Sequence, residues 1–426
     1  MAILNVIKEV KILNNKGMII RECERLNEIR RAYIGKIDYH SFFSTIRGDL
    51  LISGCEAGNL EMITDLVCTC MKRNDCPTIV LSAHLELLKM LHHKQTSGEI
   101  SRVMISSPYA RNYHPFYGMS SQQILRFICR TAEEFGYGTV IDQVMVYTSA
   151  VLNTVAASYP ISLPAMTKLL QEKDEFISRL ALQSGLSNII AENIRGNHEG
   201  GIVLRRVCER LEEIFEDVYI SGSDTKYNFQ SGAIDNLALM AFYTTSVNQK
   251  LMNSYLKEEL FFMLRRVPRI RVIIDEMEFS GEDDEFLKYL FQVKREGKIE
   301  LILISKNVKE AVPNIKLDFS NVILFQHNMA MVTEELSRDL FGTYQYHFPV
   351  PTAGNPPAML FTLKKEIHWQ MSSEERLRIR AVDMSGKQSV FGKNTNYLVV
   401  KTTANENVYL IDTELFFSKR ANSEIR

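Results

Sequence analysis

The sequence predicts an α/β protein with a doubly wound, mainly parallel sheet and an all-α insertion domain. Two observations predict the sheet: short apolar runs of the kind that parallel sheets bury on both faces, and the alternation of these runs with helical periodicity. A third observation predicts the insertion, because residues 119–217 show helical periodicity without any strand signal. The chain has 426 residues, 46% of them hydrophobic, which is enough for a sizeable core and two subdomains.

The first part of the chain predicts the start of the sheet. Residues 1–47 are predicted to be an α/β preamble, in which Ile3–Leu13 forms a strand or a short helix and Cys23–Tyr33 a helix. Strand, glycine turn, helix and strand then follow in the order of a doubly wound domain. The predicted elements are the strand Asp49–Ser53, the turn Gly54–Asn59, the helix Leu60–Arg73, and the strands Thr78–Ser82 and Val103–Ser106.

The middle of the chain is predicted to be the all-helical insertion, residues 119–217. Proline and glycine positions divide it into separate helices. The predicted helices are Ser120–Phe135, Thr139–Ser158, Leu163–Leu182 and Ile202–Phe215, with breaks at Pro160, Pro164 and Gly196–Gly201.

The α/β pattern resumes after the insertion, so residues 48–118 and 218–365 are predicted to form one domain. A β-containing extension, residues 366–426, follows with two predicted edge strands, Tyr397–Lys401 and Val408–Ile411. The elements predicted between 218 and 365 are the strands Val218–Ser221, Leu237–Phe242, Ile270–Ile274, Glu300–Ile304 and Val322–Phe325, and the helices Lys250–Arg266 and Asp283–Glu296.

Charge and cysteine content count against several classes of protein. Lys and Arg number 50 and Asp and Glu 51, so the chain lacks the global basic charge of many nucleic-acid-binding proteins. The 7 cysteines have no regular spacing, which favours a reduced cytosol over a disulfide framework. Cys68, Cys70 and Cys76 lack a fourth ligand at zinc spacing, so we predict no metal site there.

Direct membrane insertion is not expected from the sequence. The N-terminal stretch carries charges within its apolar part and no small-residue cleavage site, unlike a signal peptide. No run approaches the roughly 20 apolar residues of a spanning helix. The most apolar segment, Thr139–Ala157, contains Asp142 and Gln143. We therefore predict a cytoplasmic protein that reaches the inner face of a membrane only through partners.

The most informative motif is the apolar run of residues 269–277, which ends a predicted strand in Asp275-Glu276. P-loop ATPases end a central strand in this way. The aspartate holds a metal ion through water, and the glutamate orients the attacking water. Asp275 and Glu276 are therefore the candidate catalytic residues. The alternative is a helix N-cap with a solvated neighbour.

The turn after the first strand lies where a phosphate-binding loop belongs, but it lacks the chemistry of one. Such a loop reads G-x-x-x-x-G-K-[ST], because backbone N–H groups, a lysine and a hydroxyl together hold the phosphates and Mg²⁺. With Gly54 as the first glycine, Asn59, Leu60 and Glu61 replace the second glycine, the lysine and the hydroxyl. With Gly58 as the second glycine, Ser53 replaces the first, and Asn59 and Leu60 replace the lysine and the hydroxyl.

Neither register supplies a cation, which in a phosphate site contributes on the order of 4 kcal/mol. The helix N-terminus favours a carboxylate by about 0.3–1 kcal/mol, so Glu61 is predicted to serve as a built-in anion. This hypothesis predicts no measurable ATP affinity. The alternative is that Gly54–Asn59 is an ordinary turn of another α/β protein.

Residues 300–328 resemble the segment that follows the Asp-Glu strand in the FtsK/HerA superfamily, which includes the type IV coupling proteins. Ser305-Lys306 stands at the polar sensor position of that family, and the helical block after Tyr113–Phe116 is similar to the all-α domain of coupling proteins. The remaining similar positions are Val312-Pro313 in the loop, Val322–Phe325 in the next strand, Phe341-Gly342 at a helix end and Gly354–Leu360 at a late turn. The resemblance implies a RecA-like P-loop fold.

Three polar contacts of that family to the γ-phosphate are missing together in this chain. The loop lacks its lysine and its hydroxyl, and Lys306 replaces the sensor glutamine. Joint loss favours release from ATP hydrolysis. Lys306 is predicted to form an internal ion pair with Glu276 in place of the nucleotide; the alternative is a solvated lysine at the end of a strand.

The sequence therefore predicts a degenerate (pseudo)ATPase subunit or adaptor of a DNA-transfer (conjugation) or protein-secretion machine. Its predicted partners are a homologous ATPase or the machinery itself, in a homo- or hetero-oligomer, with DNA as a further candidate partner. No cofactor is expected; ATP and Mg²⁺ are expected only if the chain is active. The alternatives are an active ATP-driven translocase with a lysine supplied from elsewhere, and a nucleotide-independent DNA-binding module.

Overall fold

The computed structural model divides the chain into two compact units, Gly48–Ile315 and Met1–Arg47 together with Lys316–Arg426. It describes residues 16–27, 33–73, 75–101, 103–106, 113, 115–116, 118–215, 237–241, 246–276, 285–307, 318–326, 330–353, 367–379, 397–402 and 408–418. The predictions for Ile3–Leu13, Val218–Ser221, Val312-Pro313 and Gly354–Leu360 lie outside these residues. The predicted domain boundaries stay predictions.

A parallel sheet organises the unit Gly48–Ile315. In chain order its strands are β2 (Leu50–Ser53), β3 (Thr78–Ser82), β4 (Val103–Ser106), β5 (Leu237–Ala241), β6 (Ile270–Asp275) and β7 (Ile299–Ser305). They lie in the spatial order β2-β7-β6-β3-β5-β4, and each neighbouring pair is parallel. The predicted class, an α/β protein with a mainly parallel sheet, is confirmed.

The strands that carry the candidate site are the most buried. Every residue of β2, β3, β6 and β7 is buried, as expected for apolar strands covered on both faces. Single helices follow β2, β3, β5 and β6: α3 (Leu60–Arg73), α4 (Leu85–Thr96), α11 (Ser246–Met263) and α12 (Glu285–Arg295), respectively. Amphipathic α3 buries Met62, Ile63, Leu66 and Val67 on a single face.

The predicted helical block is present between β4 and β5. It comprises α5 (Ser121–Glu134), a 3₁₀ turn (Gly138–Val140), α6 (Ile141–Ser158), α7 (Leu163–Leu170), α8 (Asp174–Gln183), α9 (Asn188–Gly196) and α10 (His198–Phe215). Helix α9 was not predicted. The single helix predicted over Leu163–Leu182 is wrong, because the chain breaks between α7 and α8.

The Arg205 side chain of α10 gives the physical reason for that break. Its Nε donates to the Leu170 carbonyl at 2.9 Å, at the end of α7. Its Nη2 pairs with Asp174 at 2.6 Å, in the first turn of α8. A guanidinium from another helix thus satisfies a carbonyl at the end of α7 and binds a side chain at the start of α8, contacts that local periodicity cannot reveal.

The glycines at 196–201 were predicted to mark a break, but two of them lie inside α10. A Cβ atom added to Gly200 would lie 2.3 Å from the Gln143 carbonyl oxygen, and one added to Gly201 would lie 2.7 Å from Tyr147 Cζ. The glycines therefore let α10 approach α6 closely. The predicted helix start at Ile202 is wrong by four residues, since α10 begins at His198.

Helix α6 belongs to the segment Gly138–Ser158, the one span in the described residues that is long and apolar enough to cross a membrane, with a mean hydropathy of 1.3. It packs against α5, α7, α9 and α10. Val144, Tyr147, Val151, Leu152 and Val155 are among its buried residues. These contacts are those of the central helix of a helical bundle.

The second unit contains a mixed sheet and a long hairpin. The sheet has the order β1-β12-β11-β8, and β11 pairs antiparallel with both β12 and β8. The strands of this sheet are β1 (Tyr33–Gly35), β8 (Asn321–Leu324), β11 (Tyr397–Lys401) and β12 (Val408–Asp412). The hairpin pairs β9 (Thr343–Ala353) with β10 (Ile367–Leu377). The helices of the unit are α1 (16–27), α2 (Tyr39–Thr45), α13 (Ala330–Phe341) and α14 (Thr413–Phe417).

Two predictions for this unit are wrong. The strands β11 and β12 exist, but neither is an edge strand, because each has a neighbour on both sides. The helix predicted over Cys23–Tyr33 does not reach its predicted end, since Tyr33 begins β1. The segment before Tyr33 is rich in charges and helical in period, and β1 has only three residues. The sequence therefore did not indicate that β1 pairs in parallel with β12.

Candidate functional site

The predicted site residues meet at one edge of the parallel sheet of Gly48–Ile315. Strand β7 lies between β2 and β6, and β3 lies on the other side of β6. Because carboxyl ends of parallel strands share an edge, four connections converge there. They carry Gly54–Glu61 after β2, Ser305-Lys306 at the end of β7, Asp275-Glu276 at the end of β6, and Ser82–His84 at the end of β3.

The loop after β2 closes on itself through backbone hydrogen bonds. The Ala57 N–H donates to the Gly54 carbonyl at 3.0 Å, and the Asn59 N–H donates to the Glu56 carbonyl at 3.1 Å. Gly54 has a φ of 113°, a conformation that favours glycine. The loop therefore uses part of its own set of N–H donors, which a phosphate-binding loop would direct at its ligand.

Helix α3 begins with an internal cap rather than with a phosphate-binding sequence. The Asn59 side-chain oxygen accepts from the Met62 N–H at 3.0 Å, which makes Asn59 the N-cap of α3. Leu60 is the first helical residue, and Glu61 lies exposed in the first turn. The role of Glu61 as a built-in anion stays a prediction.

Lys306 reaches across this loop from the end of β7. A Cβ atom added to Gly58 would lie 2.9 Å from Lys306 Cε and 3.6 Å from Lys306 Nζ. The lysine stem thus covers the face of Gly58 that any other residue would fill with a side chain. An ammonium therefore stands beside a loop that has no cation of its own.

Glu276 is held in a strained conformation next to Lys306. Its φ is 51°, in the left-handed region that residues other than glycine rarely adopt. Its N–H donates to the Ile304 carbonyl at 3.1 Å, and its Oε1 accepts from the Lys306 backbone N–H at 2.6 Å. Burial raises the pKa of the Glu276 carboxyl, and the charge of Asp275 adds to the increase.

The predicted ion pair between Lys306 and Glu276 takes a different form. The contact uses the backbone amide of Lys306, while the side chain extends over Gly58. Ser305 is buried at the end of β7, and its hydroxyl accepts from the Asn307 N–H at 3.2 Å. The sensor position thus shapes a turn that holds Glu276 and directs Lys306.

Asp275 is fully buried and carries two side-chain contacts on one oxygen. Its Oδ2 accepts from the Ser82 hydroxyl at 2.6 Å and lies 3.0 Å from His84 Nδ1. Ser82 in turn accepts from the His84 N–H at 2.9 Å. The other oxygen, Oδ1, is buried and has no hydrogen-bond partner among the described residues. A buried carboxylate oxygen of this kind fits a water or a hydrated cation.

Sequence reasoning missed His84 and Ser82. The signal available was a polar Ser82 closing the apolar run Thr78–Ser82, two residues before a histidine. That signal points to a site only when β3 is known to pair with β6, which sets Ser82 opposite Asp275.

We expect His84 to titrate above its ordinary pKa of 6.5, because its hydrogen bond to Asp275 favours the protonated ring. The raised pKa means that the contact stabilises the fold at low pH, and that this contribution is lost as the pH rises through the pKa of folded His84. An NMR titration of the full chain measures it. The pKa should fall toward 6.5 in the Asp275→Asn variant. A wild-type pKa at or below 6.5 would contradict the assigned contact.

A second polar cluster lies at the amino ends of β6 and β7. The ligand atoms of Asp75, Cys76 and Glu300 lie within 4.8 Å of one another, as in a metal site. Arg271 occupies this cluster instead: Nε contacts Glu300 at 2.8 Å and Nη2 contacts Asp75 at 3.1 Å. Nη1 also donates to the Cys70 carbonyl at 3.1 Å. A guanidinium among the carboxylates opposes a metal cation, so the cluster is an ion-pair network in which Arg271 and Glu300 are buried and Asp75 is exposed.

The cysteines considered for zinc are poor metal ligands in this structure. Burial raises the pKa of the Cys68 and Cys70 thiols to about 11. Since the thiolate is the metal-binding form, both are disfavoured as ligands at neutral pH.

Comparison with solved structures finds the same overall fold in a known protein. The chain is similar to the bacterial conjugative coupling protein TrwB in its unbound form, with a TM-score of 0.53 and 11% identity over 94% of this chain and 92% of that one. It is also similar to TrwB in complex with ADP and Mg²⁺, with a TM-score of 0.52 and 10% identity over 94% of each chain. The complex of TrwB with the non-hydrolysable ATP analogue ADPNP gives the same values.

At 10% to 11% identity, the similarity between this chain and TrwB is a similarity of fold. The chain has the RecA-like P-loop fold of TrwB, so the predicted resemblance to a coupling protein is confirmed at the level of fold. No protein-family model and no curated protein matches the chain.

The residues at the sheet edge fit a metal–nucleotide complex in part. Asp275 Oδ1 suits a hydrated cation, and Lys306 is a cation beside the loop. Position 60 or 61, where the hydroxyl that binds Mg²⁺ would stand, holds Leu60 or Glu61.

Proposed function

We propose that this chain is a coupling-protein-like subunit or adaptor of a conjugative DNA-transfer or protein-secretion machine, and that it does not hydrolyse ATP. It acts in the cytoplasm by binding a partner ATPase or a transported substrate. The TrwB fold supports the assignment to this class of machine, since TrwB is a conjugative coupling protein.

One observation carries the proposed loss of hydrolysis: the strand–helix loop is closed by its own residues. Asn59 caps α3 where the glycine and lysine of a phosphate loop would bind the ligand, and no hydroxyl follows. The Glu276 carboxylate accepts from the Lys306 amide, so one of its oxygens is occupied in the resting site. Metal binding and orientation of the attacking water are thereby both weakened.

A second candidate function, an active ATP-driven translocase, is favoured by the geometry of Glu276. Backbone strain concentrates at functional sites, and a raised carboxyl pKa suits a general base. In this case Asp275 would hold Mg²⁺ and Glu276 would act on water, with the loop lysine replaced from outside the loop.

Steady-state ATP hydrolysis by the purified full chain separates the two candidates. We expect phosphate release at the level of buffer, unchanged in Glu276→Gln, because the loop lacks the groups that bind Mg²⁺ and phosphate. The matched control is Glu56→Gln, which removes an exposed carboxylate from the same loop. Turnover that Glu276→Gln abolishes and Glu56→Gln preserves would establish the active translocase.

Purification from the native source tests the adaptor role. We expect a homologous ATPase to co-purify, and the hydrolysis of the complex to depend on that partner alone. DNA binding that weakens steeply with salt and does not respond to ATP would instead indicate the DNA-binding module.

A further inference from the structure

We propose that a cavity between α7, α8 and α10 of the helical block binds a linear alkyl polyamine, a chain of methylene groups that carries two or more ammonium groups. The cavity has a volume of about 510 Å³, which is in the range of small-molecule sites. The inference does not rest on the proposed function, because residues of the helical block line the cavity and none of them belongs to the sheet edge.

The cavity lies where α7 ends and α8 begins, and its wall is held by an internal polar cluster. The Arg205 guanidinium contacts the Leu170 carbonyl at 2.9 Å and Asp174 at 2.6 Å. Asp174 also accepts from the Tyr147 hydroxyl at 2.7 Å and lies 2.7 Å from His198 Nδ1. This part of the wall is therefore ordered before a ligand arrives, which reduces the entropy lost on binding.

Four further carboxylates line the cavity, and none of them forms an ion pair among the described residues. They belong to Glu172, Glu175, Glu209 and Glu212. Of the cationic side chains in the lining, Arg205 is already paired with Asp174, and Lys173 is a single charge. An excess of negative charge therefore remains for a cation from outside the chain.

The inner wall of the cavity is apolar. Leu170 and Cys208 line it and are 4% and 1% exposed. Burial raises the pKa of the Cys208 thiol, and the nearby Glu212 and Glu209 add to the increase, so this side chain stays neutral. Apolar surface below an acidic rim suits a methylene chain with ammonium groups, as lysine stems lie along apolar surface with their charge in water. A bare ion would leave the inner wall without a contact.

The carboxylates stand on two different elements, which selects for more than one ammonium group. Glu209 and Glu212 lie three residues apart on α10. Glu172 precedes α8, and Glu175 lies in its first turn. A ligand with two separated ammonium groups can form charge-assisted hydrogen bonds to both elements, whereas a single ammonium group reaches one of them.

Calorimetric titration of the full chain with spermidine tests the proposal. Methylammonium and hexaamminecobalt(III) are the comparison ligands: the first has a single ammonium group, and the second has the charge of spermidine without its methylene chain. We expect spermidine to bind at least tenfold more tightly than either. Hydrogen exchange should slow in α8 and α10 when spermidine is present, since the ligand bridges the two helices.

Glu212→Gln should weaken spermidine binding by about tenfold, because a charge-assisted contact is lost. The matched control is Glu213→Gln, which removes the same charge from the next residue of α10. Glu213 does not line the cavity and pairs with Arg210 at 2.5 Å, so this variant should bind as the wild type does. Glutamine and glutamate have similar helix propensities, so both variants should keep α10 intact.

Three results would overturn the proposal. The first is no spermidine binding at millimolar concentration, and the second is equal binding by Glu212→Gln and the wild type. The third is equal affinity for spermidine and hexaamminecobalt(III), because the cavity would then attract charge alone. Slower exchange confined to the sheet would also contradict it, since the ligand would then lie elsewhere.

Discussion

Replacing Arg271 by methionine is expected to lower the free energy of unfolding by about 3–5 kcal/mol, because it leaves a buried carboxylate without its partner. Arg271 is fully buried on β6, and Glu300, 3% exposed on the adjacent β7, accepts from it at 2.8 Å. Without that guanidinium, Glu300 keeps only its 3.3 Å contact with the half-exposed Arg269, or it takes up a proton. Urea unfolding of the full chain measures the loss as a lower midpoint.

Arg269→Ala is the matched control for this prediction. Arg269 contacts the same carboxylate at 3.3 Å, but its side chain is 52% exposed. An exposed pair contributes about 0–1 kcal/mol, so the control should unfold near the wild type. The double variant Arg271→Met/Glu300→Leu should recover much of the loss, since the orphaned charge is removed as well. Equal midpoints for Arg271→Met and Arg269→Ala would contradict the buried network.

Replacing Gly200 by alanine is expected to destabilise the helical block by more than about 1–3 kcal/mol, the usual cost of overpacking. The new methyl group would meet backbone of α6, which cannot rotate away as a side chain can: the Gln143 carbonyl oxygen lies at 2.3 Å and the Val144 nitrogen at 2.7 Å. The gain in helix propensity, about 1 kcal/mol, is smaller. Hydrogen exchange should show faster opening of α6 and α10.

Gly196→Ala is the matched control, because it makes the same replacement of glycine by alanine at a position without close neighbours. Gly196 ends α9, and an added Cβ would meet nothing within 4 Å. This variant should match or slightly exceed the wild type in stability. If Gly200→Ala also unfolds at the wild-type midpoint, α6 and α10 do not cross as closely as described.

Much of the fold was predictable because its signals are local. The buried strands Thr78–Ser82 and Ile270–Ile274 are mainly apolar runs, and the helical block carries helical periodicity without a strand signal. The errors arise where distant residues decide the outcome. The break after Leu170 depends on Arg205 from another helix, and the interior position of β11 depends on pairing with β8 and β12.

The same contrast between local and long-range signals applies to the residues of the candidate site. Asp275 and Glu276 follow from an apolar run that ends in acidic residues, and the missing loop lysine is read directly from positions 54–61. His84 and the path of the Lys306 side chain follow only from the order of the strands. The order of the strands in the sheet cannot be read from periodicity or from motifs.

The lysine that covers Gly58 lies 248 positions further along the chain, as the residue numbers themselves give (306 − 58). A motif that is confined to the glycine-containing turn therefore does not include this lysine. In a parallel sheet, the connections after neighbouring strands lie at the same edge, so a side chain distant in sequence can lie beside the loop. A motif read along the chain therefore describes only part of the side chains at this edge, because neighbouring strands contribute the others.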